Sequence, residues 1–250
     1  MIMNKQNATI MKLAETALLA ALCFVSFTFL QIKIPVPGGD ATSLHIGNAF
    51  CVIGALLLGG WYGGLAGAIG MTIADIMDPV YITVAPKTFI LKLCIGLITG
   101  LVAHKIAKIN ESHDKKYVFK WSVIASVAGL GFNVIADPVV GYFYKRLILG
   151  QPQEMADVLA KMSAAATLVN AVVSVVLVAL QCSTPCFYQN AAYTGKTKTT
   201  VLMPYLQSQF TFLFPKKENG AAAILLFHFF PFILLDKSLL FQPGFLLFLL

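Results

Sequence analysis

Charge is scarce in this chain. Asp, Glu, Lys and Arg make up 12% of its 250 residues, where a soluble domain carries about 25%. Recognisable catalytic patterns are missing as well. There is no HExxH, no paired His, no acidic pair at metal-ligand spacing and no nucleophile with a base in motif context. Gly195-Lys196-Thr197 matches the end of a phosphate-binding loop, but the upstream glycine at the required spacing is absent. The five cysteines (Cys23, Cys51, Cys94, Cys182, Cys186) form neither a disulfide framework nor a metal site. The chain therefore reads as a non-enzyme that calls for no cofactor and no metal.

What is present is apolar. Hydrophobic residues reach 58% and mean hydropathy is +0.80, so the chain reads as an all-α integral membrane protein of the cell membrane. The net charge of +7 does not mark a nucleic-acid partner, because the Lys residues cluster in loops between apolar spans, as topology requires. Six spans are expected. They run from about 13 to 31, 44 to 59, 61 to 77, 88 to 107, 121 to 143 and 155 to 180. The connector Lys105–Lys120 carries five Lys against Glu111 and Asp114. The positive-inside rule puts it, and by counting back the N-terminus, in the cytoplasm.

The stretch from Ile34 to Lys105 organises the rest. Gly60, Gly63, Gly64 and Gly67 form two overlapping small-xxx-small pairs, a spacing that lets helix backbones approach in lipid. In a soluble helix each would cost about 1 kcal/mol relative to Ala. Ala17 and Ala21, four apart, give span 1 a small face, read either as internal packing or as a docking face for a membrane partner. In the loop after span 1, Pro35, Pro37, Gly38 and Gly39 exclude helix. Asp75 and Asp78 bracket the end of span 3; a turn at Asp78-Pro79 explains them more simply than a cation site.

Three spans carry polar groups at mid-depth: Lys92 in span 4, Asn133 with Asp137 in span 5, and Asn170 in span 6. Ionisable residues at membrane depth mark function by default. Converging amide and charged faces suit a pocket for a polar small molecule. Asp137-Pro138 is expected to interrupt span 5. Two segments result: a six-helix binding domain over 1–182, and a tail over 183–250, polar then apolar, expected to be unstructured or a seventh membrane segment.

The run LHIGNAF, ALLLGGWYGGLAGAIGMTIADI and PKTFILKLCIGLITGLVAHK resembles the S components of energy-coupling factor (ECF) vitamin transporters, the riboflavin-type subgroup in particular. The resemblance covers about residues 10–181. It implies a binding subunit that captures a vitamin outside and works with a transmembrane T subunit and two ATPases. It also implies that Ala17 and Ala21 belong to the T-subunit contact. The tail has no counterpart in that family. Two other classes stay open. A self-contained secondary transporter predicts inverted repeats and paired broken helices. A membrane enzyme acting on lipid predicts acidic or His clusters at the cytoplasmic face.

Overall fold

The computed structural model describes residues 5–36 and 40–183. The tail assigned from sequence to 183–250 therefore lies outside the described residues, apart from Ser183. Six helices and one hairpin follow in order: α1 (Lys5–Phe29), β1 (Gln31–Val36), β2 (Asp40–His45), α2 (Gly47–Leu58), α3 (Gly60–Met77), α4 (Ala85–Gly100), α5 (Lys115–Phe143) and α6 (Gln153–Cys182). Wide π-helical turns extend α4 over Leu101–Ile106 and α5 over Tyr144–Ile148.

Among the described residues, four helical segments are long and apolar enough to cross a membrane: Thr9–Phe29, Ile82–Ile106, Lys115–Ile148 and Gln153–Cys182. The other two helices differ for physical reasons. α2 has 12 residues, and Gly47 through Leu56 are all buried. A helix that is apolar all round belongs in an interior. α3 has 18 residues, but five are glycine. The membrane-crossing helices carry exposed apolar side chains such as Ile135, Val172 and Leu180, a surface suited to lipid and not to water.

The glycines of α3 are used on three sides. A Cβ on Gly60 or Gly64 would run into α4 at Gly96–Gly100 and Leu93, and one on Gly63 would overlap Ala55 of α2. A Cβ on Gly70 would strike the Ala20 carbonyl of α1. Because the backbones themselves touch, α3 packs against α1, α2 and α4 at once and forms the centre of the described bundle.

Two local expectations change. The loop after α1 is an antiparallel hairpin, with Gln31 paired to His45 and Val36 to Asp40. Pro35 is tolerated because in a two-stranded sheet every strand is an edge. The break expected at Asp137-Pro138 does not occur: α5 continues through Pro138 to Phe143. The irregularity falls after Phe143, in the π-helical turn Tyr144–Ile148.

Candidate functional site: a polar cavity beneath the hairpin

A cavity opens between the hairpin and the ends of α4, α5 and α6, with Phe27 of α1 and Asp75 of α3 completing its wall. α4 contributes Lys87, Thr88, Leu91 and Lys92. Pro86 at the first turn suits the start of α4, since its missing N–H would be unpaired there anyway. From that start the 3.6-residue period sets Thr88 and Lys92 one turn apart on the inner side, both buried.

Lys92 is 7% exposed, and its ammonium donates to Asn48 Oδ1 of α2 at 2.9 Å. Lys87 donates to Asp137 Oδ1 of α5 at 2.9 Å, and the other carboxylate oxygen accepts from the Ser163 hydroxyl of α6. The neighbouring Gly141 makes room for this ion pair: a Cβ there would sit 3.4 Å from Lys87 Nζ. Asp137 is thus fully engaged, whereas Lys92 faces a neutral amide.

Asn170 of α6 lies under the hairpin. Its Oδ1 accepts from the His45 backbone N–H at 3.0 Å, and its Nδ2 donates to the Ser43 carbonyl at 3.0 Å. Both halves of the amide therefore hold β2 down. On the far side, Lys33 of β1 forms an ion pair with Asp78 and sits 5.6 Å from the Tyr81 ring centroid. Tyr81 and His45 each meet Phe27 edge-on.

Of the four residues expected from sequence, Lys92, Asp137 and Asn170 line this one cavity and Asn133 does not. Asn133 is 2% exposed and sits one turn along α5 from Asp137. Its Oδ1 has no hydrogen-bond partner among the described residues. Asp75 and Asp78 face different ways, one to the cavity and one to Lys33. Sequence reasoning missed Lys87 and Ser163 as lining residues, and Asn48 as the acceptor that holds Lys92. Ser163 had a signal, because Ser163, Thr167, Asn170 and Ser174 recur at four, three and four residues along one face of α6. Lys87 had none in spacing, since it meets its partner 50 residues away.

Elsewhere on the molecule, Ala17 and Ala21 lie on the exposed face of α1, while Leu19, Leu22 and Cys23 face inward. Gly60 and Gly64 meet α4 and Gly63 meets α2 as described above, and a Cβ on Gly67 would overlap the Cys51 side chain of α2.

An apolar helical bundle with a cavity lined by Lys87, Lys92, Asp137 and Asn170 defines a membrane-embedded binding protein. The sequence profile of one family, described as ECF-type riboflavin transporter, S component, matches residues 7–182. The chain belongs to that family: it is a multi-pass membrane protein and the substrate-binding subunit of a vitamin-uptake system, not an enzyme. Comparison with curated proteins and with solved structures found no match.

Proposed function

We propose that this subunit captures riboflavin, or a closely related vitamin, from outside the cell and hands it inward as part of an ECF-type ABC importer. Its partners on this reading are a transmembrane T subunit and two ATPase subunits. The observation that carries it is the family match over residues 7–182, together with the cavity that Lys92, Asp137 and Asn170 share. The binding domain is residues 1–182, with six spans and a cytoplasmic N-terminus. The Lys-rich connector supports that orientation. The exposed small face at Ala17 and Ala21 is the T-subunit contact, since Ala lets two helix backbones approach where larger side chains do not.

Mass spectrometry of small molecules that co-purify with the detergent-solubilised protein tests the ligand. Riboflavin at near-stoichiometric occupancy supports the reading. A co-purifying molecule of another class, with riboflavin failing to displace it, overturns the riboflavin assignment.

A further inference from the structure

Two residues on the cavity wall carry hydrogen-bonding capacity that the described protein leaves unused. The Lys92 ammonium has three N–H donors, and Asn48 Oδ1 accepts one of them. None of the ion pairs among the described residues includes Lys92. Asp75 is 2% exposed, and its Oδ2 accepts no hydrogen bond among the described residues. A buried carboxylate oxygen without a donor is costly unless something arrives to pair with it.

The two groups converge. Gly64 against Gly96 and Gly60 against Gly100 lock α3 and α4 antiparallel. Counted from that lock, the Cα levels of Asp75 and Lys92 differ by about 10 Å along the bundle. Side chains on a helix tilt towards its N-terminus. In an antiparallel pair the long Lys92 side chain therefore leans towards the level of Asp75, and Asp75 leans back towards Lys92. Both end on the same cavity, where Phe27, Tyr81 and Leu91 supply apolar wall.

Charge narrows what fits between them. An anion would pair with Lys92 but be repelled by Asp75 and Asp137. A cation would pair with Asp75 but meet Lys92 and Lys87. A neutral group with an acceptor beside a donor satisfies both ends, and the apolar wall favours a flat ring over a polyol. We infer that the ligand is recognised through the imide or lactam edge of a heterocycle, its carbonyl accepting from Lys92 and its ring N–H donating to Asp75. This rests on the reading of the cavity as the vitamin site. It makes Asp75 and Lys92 the residues that select the ring.

Flavin fluorescence titration of the purified full chain tests it, with riboflavin and N3-methylriboflavin as probes on wild type and on Asp75→Leu. Methylation removes the ring N–H and should weaken wild-type binding tenfold or more. In Asp75→Leu, riboflavin itself should bind more weakly, and the methylation penalty should shrink to about threefold or less. Equal binding of the two flavins by wild type overturns the inference while leaving the riboflavin reading intact. So does a penalty that persists undiminished in Asp75→Leu, which has no acceptor, since that is a steric effect alone. Failure of wild type to bind riboflavin at all overturns both. If Asp75→Leu does not elute as folded protein, the wild-type comparison of the two flavins decides the matter.

Discussion

Asn170 holds His45 from the far end of the chain: its Oδ1 accepts the His45 backbone N–H at 3.0 Å across 125 residues of sequence. With the Nδ2 bond to Ser43, one side chain on α6 fixes the strand that roofs the cavity. Removing it leaves a buried donor and a buried acceptor unpaired, at about 1–3 kcal/mol each.

Asn170→Ala is accordingly expected to weaken ligand binding about tenfold or more by loosening β2. Amide hydrogen exchange at His45 should accelerate by a similar factor, because the N–H has lost its acceptor. Weaker binding with unchanged exchange at His45 would show that the amide meets the ligand directly and does not act through the hairpin.

The ion pair of Lys87 with Asp137 predicts strong coupling. Both side chains are largely buried, so losing one partner strands a charge, typically at about 3–5 kcal/mol. Asp137→Leu should lower the melting temperature of the purified protein markedly. Lys87→Met in the same chain should recover most of that loss, because a buried pair replaced by apolar groups is often nearly neutral. Additive losses in the double variant would mean that the two residues act independently.

Glycine substitutions should have opposite signs at two positions. A Cβ at Gly96 would overlap the backbone of Gly64, while a Cβ at Gly131 meets nothing within 4 Å. Gly96→Ala should cost about 1–3 kcal/mol through forced separation of α3 and α4. Gly131→Ala should be neutral or stabilise by up to about 1 kcal/mol, since glycine is a poor helix former. Thermal unfolding in detergent checks both, and equal stability of the two variants would contradict the backbone contact.

The glycine contacts were legible in sequence because their cause is local. Four-residue spacing places Gly60 and Gly64 on one helix face, and any close neighbour must meet them there. Lys92 and Asp137 were legible as charges at membrane depth, where the alternatives are few. The limits came from what spacing leaves out. A four-residue step turns a helix by about 40° beyond a full turn and rises about 6 Å, so Asn133 and Asp137 look alike on a wheel while only Asp137 reaches the cavity. The role of Asn170 depends on the hairpin, and two prolines with two glycines signal a loop without saying which strand register closes it. Lys87 reads as a connector residue until α5 brings Asp137 to it.

Ala17→Leu and Ala21→Leu are expected to weaken co-purification with a T subunit while leaving riboflavin affinity unchanged within about twofold. Both residues are exposed and point away from the cavity-lining Phe27. A branched side chain there holds a partner helix off without touching the site. Intact assembly in both variants would show that this face contacts lipid alone.

The most direct test of the account is uptake of radiolabelled riboflavin by cells that lack their own riboflavin importer. The chain is expressed alone and then with a T subunit and two ATPases. The account predicts uptake only with the complete module, and its loss when the ATPases carry inactivating substitutions in their phosphate-binding loops. Concentrative uptake by the chain alone would contradict it and identify a self-contained secondary transporter.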